Sequence, residues 1–370
     1  MAEHALKIGL VGPLPPPSGG MANQTEQLAL LLAGEGCSVE TIQVNAPYRP
    51  SWAGRIKGVR AVARMLPYIA TLWRSAGRVD LIHVMANSGW SWHLFAAPAI
   101  WIGWLRGCPV VVNYRGGEAG TFLAKSLASV RPSLQRASAL VVPSGFLESV
   151  FGKHGVKTIV VPNIINLERF TSDRATADTL DAPRLLVARN LEPIYDNGTA
   201  LRAFSLVLAR HPGARLVVAG SGPQRAELEQ FAEVLGIAHA VTFTGRVDNA
   251  GMAALYRDAD IMLNPSTVDN MPNSVLEALA SGAVVVSTNV GGVPFLVDHG
   301  KTALLVPPRD PQAMADAVLR VTDEPRLAAA LREAGLRYVQ QYAWAGVKPR
   351  LMAVYRSVLK PGTPKMATNT

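Results

Sequence analysis

The segment "ADIMLNPSTVDNMPNSVLEALASGAVVVST" (259–288) contains one complete unit of the fold that this sequence predicts. Its first run, "ADIMLNPS" (259–266), and its last run, "AVVVST" (283–288), are short and almost continuously apolar, which is typical of parallel strands buried on both faces. Between them, a turn around Pro272 and Asn273 precedes a helical run. The segment therefore predicts a strand, a helix and a second strand parallel to the first.

The same alternation of short apolar runs and longer helical patterns extends along the chain. One helical pattern is "NQTEQLALLLAGEG" (23–36), in which Gly34 and Gly36 are stop signals. The other predicted strands are residues 7–12, 39–44, 80–85, 109–114, 139–144, 158–163, 184–189, 214–220 and 240–245. The predicted fold class is therefore α/β, with two similar doubly wound halves.

A polar stretch, "TSDRATADTLDAP" (171–183), separates the two halves and is the predicted linker. We expect one domain at 1–170, a second from residue 184, and a cleft between them. Ligands of open α/β sheets bind beyond the carboxyl ends of the strands, so the loops at those ends are the place to look for functional residues. The last ten residues, 361–370, are predicted to form a flexible tail.

The composition limits the classes of partner. The chain has 370 residues, of which 49% are hydrophobic and 17% charged, so it can bury a large core and is not expected to be disordered. Its formal net charge of +9 favours an anionic partner, which leaves a nucleotide, an acidic glycan or an anionic lipid surface open. We predict no nucleic-acid partner, because no recognition helix or RNA-binding motif is present.

The sequence predicts a cytoplasmic location. The start, "MAEHALKIGLVG", contains an acid and continues into a strand pattern, unlike a signal peptide. The most apolar stretch, "LFAAPAIWIGWL" (94–105), is shorter than an ordinary membrane span and contains Pro98. The only two cysteines, Cys37 and Cys108, lie far apart and lack metal-ligand spacing, which favours free thiols in a reducing compartment.

The loop after the first predicted strand, "GPLPPPSGGMANQ" (12–24), is a candidate ligand loop. Gly19 and Gly20 precede a helix, so their backbone would be able to approach a phosphate or a sugar closely. A tight turn without a ligand explains these glycines equally well. The prolines exclude the G-x-G-x-x-G pattern of a nicotinamide dinucleotide site.

Three strand ends of the second half carry a stronger signal. Arg189 ends one strand, Gly220 and Gly222 follow the next, and Asp269 and Glu277 come after "ADIMLNPS". Arginine is a permanent cation suited to diphosphate oxygens, whereas a carboxylate accepts two hydrogen bonds from a vicinal diol such as ribose. For any single pair, an acid near a helix start and a solvated glutamate is the more common explanation. The coincidence at three strand ends favours a ligand site.

The start of the predicted helix after Asp269 completes this site. Backbone amides near Asn273 and Ser274 would bind an anion, assisted by the helix dipole. Glu277 lies about one turn into the helix, and Asp269 lies before it. The two acids would therefore flank a diphosphate, each beside the hydroxyls of one sugar.

Taken together, these segments resemble the retaining glycosyltransferases of family four. Asp269–Glu277 matches the family's E-x7-E motif, and "EALASGAVVVSTNVGG" (277–292) continues the match. Further similar segments are "GGMANQTEQLALLLAGEGCSV" (19–39), "VVPSGFLESVFGKHGV" (141–156), "FTGRV" (243–247) and "GKTALLVPP" (300–308). The resemblance implies the GT-B fold, in which two Rossmann-like domains face each other across a cleft. It covers nearly the whole chain.

The resemblance also implies roles for particular segments and residues. The domain 184–343 would bind a nucleotide diphosphate sugar, the domain 1–170 would face the acceptor, and the helix 344–360 would cross back onto the first domain. Glu277 would bind ribose, Asp269 the donor sugar and Arg189 the diphosphate. The implied donor-binding set further includes these residues: Asn273, Ser274, Asn197, Gly19, Gly20, Gly220, Gly222, Arg246 and Val247.

The family's chemistry sets the expected reaction. The sugar would move with retention of configuration to a glycan or lipid-linked acceptor, as in bacterial polysaccharide or glycolipid synthesis, with UDP as the favoured nucleotide. No metal and no cofactor are expected. The triplet "DAD" (258–260) is similar to the metal-binding D-x-D of another transferase fold, but it closes a helix here and is predicted to be structural.

The sequence departs from the family pattern at three positions of interest. Asn197 stands where the family has a lysine, Arg115 where it often has a histidine, and Asp269 where it has the first glutamate. We hypothesise that Arg115 restores positive charge near the diphosphate or the acceptor, which gives a predicted catalytic set of Asp269, Arg189 and Arg115. Two alternatives stay open, a sugar-nucleotide epimerase of the same fold and a catalytically silent sugar-nucleotide-binding protein.

Two further features concern the first half. His83 lies in a buried strand pattern and is predicted to be a core residue, whereas His93 would be able to reach the cleft. Residues 51–78 contain six basic residues and no acid. In this segment Lys57, Arg60 and Arg64 share one helical face, and Pro67 is expected to break or kink the helix. The stretch predicts either an ordinary surface helix or contact with an anionic membrane surface.

Overall fold

The computed structural model of the protein describes residues 5–16, 19–48, 52, 56, 59–172 and 181–359. The chain divides into two compact units. The first extends to Asn163 and includes the chain from Val347, and the second is Ile164–Gly346. Most of the predicted linker (173–180 of 171–183) and the predicted tail (361–370) lie outside the described residues.

The first unit contains a six-stranded parallel sheet among its described residues. The strands are β1 (Lys7–Gly12), β2 (Ser38–Gln43), β3 (Leu81–Ala86), β4 (Val110–Tyr114), β5 (Ala139–Val142) and β6 (Ile159–Val160), in the order β2-β1-β3-β4-β5-β6. The helices between them are α1 (Gly20–Gly34), α2 (Val59–Ser75), α3 (Ala97–Leu105), α4 (Ala119–Leu134) and α5 (Gly145–Gly152). Every residue of β3 and β4 is buried, as their continuous apolar runs predict.

The second unit contains another six-stranded parallel sheet. Its strands are β7 (Arg184–Ala188), β8 (Arg215–Ala219), β9 (Val241–Gly245), β10 (Ile261–Asn264), β11 (Val284–Thr288) and β12 (Leu304–Val306). Its helices are α6 (Asn197–Arg210), α7 (Arg225–Val234), α8 (Asn249–Asp258), α9 (Asn273–Ala280), α10 (Pro311–Asp323) and α11 (Pro325–Val339). The strand order β12-β11-β10-β7-β8-β9 is that of the doubly wound dinucleotide-binding fold. Apolar clusters cover both faces of this sheet.

The order of the strands reverses at one point in each sheet. In the first sheet this point lies between β1 and β3, and in the second it lies between β7 and β10. The loops that leave the carboxyl ends of the two strands turn to opposite faces there and open a crevice. Ligand-binding side chains are therefore expected at the ends of β1 and β3, and of β7 and β10.

The predicted structural role of "DAD" is confirmed. Asp258 is the last residue of α8, and the carboxylate of Asp260 accepts a hydrogen bond of 2.7 Å from the backbone N–H of Arg184. Asp260 thereby ties the start of β10 to the start of the neighbouring β7.

Pro67 does not break its helix, which excludes one of the two outcomes that the sequence predicted. Helix α2 continues from Val59 to Ser75 with Pro67 inside it. The helix survives because α2 packs on the core through Tyr68 and Leu72, which are 5% and 0% exposed, so tertiary burial outweighs the lost backbone hydrogen bond. None of the helices that the structure describes is sufficiently long and apolar to span a bilayer.

The last helix, α12 (Trp344–Leu359), packs on the first unit from Val347 onward. Tyr355 on this helix is fully buried, and its hydroxyl lies 2.7 Å from Nδ1 of His83 on β3. Lys348 forms an ion pair with Glu35, directly after α1. The helix is therefore fixed to the first sheet by a buried hydrogen bond and by a charge pair.

Candidate donor site in the second unit

The centre of the site is an ion pair at the point where the strand order of the second sheet reverses. Arg189 follows β7, Asp269 lies in the loop after β10, and Nη2 of Arg189 donates to the Asp269 carboxylate. The Nε of Arg189 donates to Oδ1 of Asn264, the last residue of β10, over 2.8 Å. The two charged side chains are only 11% and 12% exposed. The structure thus brings together the two residues that the sequence placed at separate strand ends.

Tyr195 lies against the arginine and was not identified from the sequence. Its ring centroid is 5.2 Å from Cζ of Arg189, which is within cation–π distance. It belongs to the loop "NLEPIYD" (190–196), which ends at Asp196 with a left-handed φ of 42°. A non-glycine residue in this conformation is strained and is often found at functional sites. An aromatic residue beside a cationic strand end is the signal that would have identified Tyr195.

Both acids of the motif are harder to ionise than ordinary carboxyl groups. Burial raises the pKa of Asp269, and the Arg189 charge opposes this effect without cancelling it. Burial also raises the pKa of Glu277, while the Tyr256 hydroxyl and the charges of Arg189 and Arg169 lower it. The Tyr256 hydroxyl faces Glu277 without a hydrogen bond of standard geometry. The positive charge of Arg189 therefore lowers the pKa of both carboxyl groups.

The N-terminus of α9 leaves hydrogen-bonding groups available. The residue before the helix is Pro272, whose side chain cannot accept a hydrogen bond from the first turn, so the helix start has no N-cap side chain. The Ser274 hydroxyl is buried and makes no hydrogen bond to a described residue. Uncapped amides and an unsatisfied hydroxyl at the positive end of a helix dipole suit an anion such as phosphate.

Glycines set the shape of the loops around the ion pair. A Cβ on Gly220 would lie 1.9 Å from the backbone oxygen of Arg189, and one on Gly222 would lie 2.3 Å from that of Leu191. No side chain fits at these distances. The two glycines therefore allow the loop after β8 to pack directly on the loop that carries Arg189.

A second glycine pair supports the Asp269 loop. A Cβ on Gly291 would lie 2.1 Å from the backbone oxygen of Asp269, and one on Gly292 would lie 1.6 Å from the backbone oxygen of Asn270. The backbone N–H of Gly292 donates to the backbone oxygen of Asp269 over 2.9 Å. The sequence contained this pair in "TNVGG", but nothing in the sequence revealed that it holds Asp269.

Three other predicted donor-binding residues lie around the same sheet edge. The Asn197 side chain is buried at the start of α6, its Nδ2 donates to the backbone oxygen of Asn190 over 3.0 Å, and its buried Oδ1 has no hydrogen-bond partner among the described residues. Arg246 is exposed and Val247 is half-buried, and both follow β9. This strand end is joined to Gly220, whose N–H donates to the oxygen of Gly245.

The remaining candidates belong to the first unit. Gly19 and Gly20 are exposed at the start of α1, where an added Cβ would meet no atom within 4 Å, so close packing does not explain them. Arg115 follows β4 and is half-buried among amide side chains. His93 is half-buried, and its ring makes T-shaped contacts with Trp90 and Phe122.

His83 is a core residue, as predicted. It is fully buried, its Nε2 accepts from Nδ2 of Asn113 over 3.2 Å, and its Nδ1 then carries the proton that is donated to Tyr355. Burial lowers the pKa of His83 to about 3, with a smaller contribution from the Arg115 charge. The ring is therefore neutral at physiological pH.

Two family models match the chain. Residues 182–324 match the model described as glycosyl transferases group 1, and residues 19–164 match the glycosyl transferase 4-like domain. The first match contains Arg189, Asp269 and Glu277, and the second contains Arg115.

The chain is also similar to named enzymes. The D-inositol 3-phosphate glycosyltransferase of Corynebacterium urealyticum is 30% identical over 57% of this chain and 54% of its own length. That of Saccharomonospora viridis is 32% identical over 53% and 49%. The chain spans about half the length of these two relatives. The glycogen synthase of Mycobacterium tuberculosis strain H37Rv is 28% identical over 91% of both chains.

Solved structures share the architecture at lower identity. The sucrose-phosphate synthase of Thermosynechococcus elongatus superposes with a TM-score of 0.73 at 23% identity, over 95% of this chain and 99% of its own. The Anabaena protein HepE, solved with UDP and glucose, has a TM-score of 0.71 at 17% identity, over 95% and 100%. Identities this low support the fold and carry no information about substrates.

Proposed function

The chain belongs to the group 1 glycosyltransferases and has the GT-B fold, and on this premise we propose that it moves a sugar from a nucleotide diphosphate sugar to a glycan or lipid-linked acceptor. We further propose that the donor is a UDP-sugar and that the anomeric configuration is retained. The product would be a cell-surface polysaccharide or a glycolipid.

One observation carries this proposal. Arg189 forms an ion pair with Asp269 and is in electrostatic reach of Glu277, beside the uncapped start of α9. A nucleotide sugar has a dianionic diphosphate between two groups of hydroxyls. A cation and uncapped amides between two carboxylates are complementary to that charge pattern.

Each residue has a role in the proposed complex. The Glu277 carboxylate accepts hydrogen bonds from the ribose hydroxyls, and Asp269 accepts from the hydroxyls of the donor sugar. The amides of Asn273 and Ser274, the Ser274 hydroxyl and Arg189 bind the diphosphate. Arg189 then donates to phosphate oxygens while it keeps its contact with Asp269, because guanidinium has five N–H groups.

The proposed chemistry depends on the stabilisation of the leaving group. The diphosphate gains negative charge as the glycosidic bond breaks, and a fixed guanidinium with oriented amides stabilises that charge in the transition state. The acceptor hydroxyl attacks from the face that the diphosphate leaves, and the departing phosphate takes its proton. Arg189 supplies positive charge at the leaving group, so we propose that the reaction needs no metal ion. Turnover that persists in EDTA would support this point.

Thermal unfolding with UDP, GDP, ADP and NAD tests the donor site. A ligand at a hundred times its dissociation constant adds about 2.7 kcal/mol to the stability of the folded state. We expect UDP to raise the midpoint by several degrees and expect Glu277→Ala to abolish the response. Glu233→Ala, an exposed helical glutamate on α7, is the matched control and should respond like the wild type. A fully folded protein that ignores all four nucleotides would refute the donor site.

The buried side chain of Asn197 favours one alternative function, a catalytically silent sugar-nucleotide-binding protein. Because its Nδ2 is bound to Asn190, Asn197 adds no charge where the family has a lysine, which is the pattern of a silent sugar-nucleotide-binding protein. Tight UDP-sugar binding without turnover would support that alternative. A product formed without any acceptor would support the epimerase.

We also propose peripheral contact with an anionic membrane at the cytoplasmic face. Five large apolar side chains in or beside α2 are between 46% and 67% exposed, namely Trp52, Ile56, Val62, Leu66 and Trp73. Arg60 is exposed on the same helix. Lys57, which the sequence placed on one helical face with Arg60 and Arg64, lies outside the described residues. Exposed apolar side chains with basic neighbours match an anionic bilayer surface.

Sedimentation with phosphatidylglycerol vesicles at low salt measures this contact. We expect binding that weakens as salt is added, because surface charges are then screened. The double variant Val62→Asp with Leu66→Asp should lose binding, whereas Leu30→Asp, a 70% exposed leucine on α1, should keep it. Equal sedimentation of all three proteins would contradict the proposal.

A further inference from the structure

Arg115 is a cation of the first unit that has no carboxylate partner among the described residues. It directly follows β4, and its side chain donates to three amide oxygens. Its Nε lies 3.3 Å from Oδ1 of Asn113, and its Nη1 lies 3.3 Å from Oε1 of Gln24 and 2.7 Å from Oδ1 of Asn163. Among the described residues it forms no ion pair with a carboxylate, and its Nη2 has no hydrogen-bond partner.

The electrostatic consequence is a site that favours a negative charge. Amide oxygens satisfy hydrogen bonds but leave the positive charge uncompensated, and a half-buried charge loses much of its hydration. Burial lowers the pKa of Arg115 to about 10, so the group remains protonated at neutral pH. An incoming oxyanion would supply the missing charge and accept from Nη2.

A chain of hydrogen bonds holds this arginine in place. Asn113 accepts from Arg115 through Oδ1 and donates to His83 through Nδ2, which fixes the orientation of its amide. His83 in turn donates to the buried hydroxyl of Tyr355 on α12. Arg115 is thus positioned before any ligand arrives, and a prepositioned donor loses little conformational entropy on binding.

Arg115 follows the strand next to the reversal point of the first sheet. β4 is next to β3, and the strand order reverses between β1 and β3. Gln24 joins Arg115 to the first turns of α1, the helix that starts at the exposed Gly19 and Gly20 without a side-chain cap. The positive end of the α1 dipole therefore lies on the same side of the sheet as the guanidinium.

We propose that Arg115 binds an oxyanion, a phosphate or a carboxylate, that is part of the acceptor substrate. This inference rests on the proposed transferase function and specifies its acceptor as an anionic molecule. The diphosphate of the donor is the other possible source of the same chemistry, and the experiment below separates the two. Arg115 is the cation that contacts all three amides, so it is the group that would bind the oxyanion.

Inorganic phosphate is the probe for this site. It is titrated into the full-length protein at constant ionic strength, with thermal unfolding as the readout, in the absence and presence of saturating UDP. We expect saturable stabilisation of the wild type by phosphate that persists when UDP is bound. Loss of a charge-assisted hydrogen bond should weaken phosphate binding in Arg115→Gln by about tenfold or more.

Two further variants make the result interpretable. Arg115→Lys keeps the charge without the fork of donors, so it should bind phosphate more tightly than Arg115→Gln and less tightly than the wild type. Arg78→Gln removes an exposed arginine of the same unit and should leave phosphate binding unchanged. Arg115→Gln should fold, because it removes an unpaired charge and leaves no carboxylate without its partner.

Two outcomes would overturn the inference. Equal phosphate responses in the wild type and Arg115→Gln would show that Arg115 is not the binding group. A phosphate response that saturating UDP abolishes would assign the oxyanion to the donor. The UDP response in the same samples reports separately on the proposed donor site, so failure of the transferase proposal is distinguishable from failure of this one.

Discussion

Replacement of Gly292 by alanine tests whether the glycine pair Gly291–Gly292 holds the loop that carries Asp269. The added Cβ would lie 1.6 Å from the backbone oxygen of Asn270, whereas real Cβ atoms essentially never come closer than 3.0 Å. The two backbone segments would therefore have to separate by roughly 1.4 Å, the difference between these two distances. No flexible side chain is available to move instead.

Two effects of Gly292→Ala lower the free energy of unfolding. Overpacking of a tightly packed core costs about 1–3 kcal/mol. The separation also breaks the 2.9 Å hydrogen bond from the N–H of Gly292 to the backbone oxygen of Asp269. Leaving a buried hydrogen-bonding group unsatisfied costs about 1–3 kcal/mol. We expect the free energy of unfolding to fall by about 2–6 kcal/mol. Affinity for UDP-glucose should fall as well, because Asp269 moves with its loop.

Urea unfolding with two probes locates the damage. Six of the seven tryptophans belong to the first unit (52, 73, 90, 92, 101 and 104), so tryptophan fluorescence follows that unit, whereas far-ultraviolet circular dichroism follows both units. We expect Gly292→Ala to shift the dichroism midpoint more than the fluorescence midpoint. Gly34→Ala, the control, meets no atom within 4 Å at the end of α1 and should be neutral or slightly stabilising.

If Gly292→Ala unfolded at the same urea concentration as Gly34→Ala and bound UDP-glucose like the wild type, the close approach of Gly292 and Asn270 would not constrain the loop. The role assigned to the glycine pair would then be wrong.

Three other predictions concern groups whose protons or hydrogen bonds are buried. His83 has a folded-state pKa of about 3 against 6.5 for an ordinary histidine, so below pH 6.5 the unfolded state binds the extra proton. The free energy of unfolding should fall by roughly 1.4 kcal/mol per pH unit between pH 6.5 and 3 from this group alone, and urea unfolding of His83→Gln should lack that component. Tyr355→Phe removes the acceptor of the His83 N–H and should cost about 1–3 kcal/mol in urea unfolding; an unchanged midpoint would contradict the hydrogen-bond assignment. Burial raises the pKa of Glu277, so UDP affinity measured by calorimetry should increase as the pH rises through the pKa of this carboxyl group, and Glu277→Gln should bind UDP weakly and lose this contribution.

The fold was accessible from the sequence because its signals are local. Continuous apolar runs such as "LIHVMA" in β3 must be covered on both faces, and glycine and proline mark the turns between them. The same reasoning correctly assigned His83 to the core and "DAD" to a structural role. The break that Pro67 locally favours does not occur, because burial of Tyr68 and Leu72 outweighs this preference.

The sequence by itself determined which residues end the strands, and therefore which side chains lie at the binding edge of each sheet. It placed Arg189, Asp269 and Glu277 at that edge as separate residues. The ion pair of Arg189 with Asp269, the ring of Tyr195 beside it and the support from Gly291 and Gly292 were decided by tertiary structure alone. The reason is that strand order, which the sequence pattern does not specify, makes β10 the neighbour of β7 although 72 residues separate Ala188 from Ile261.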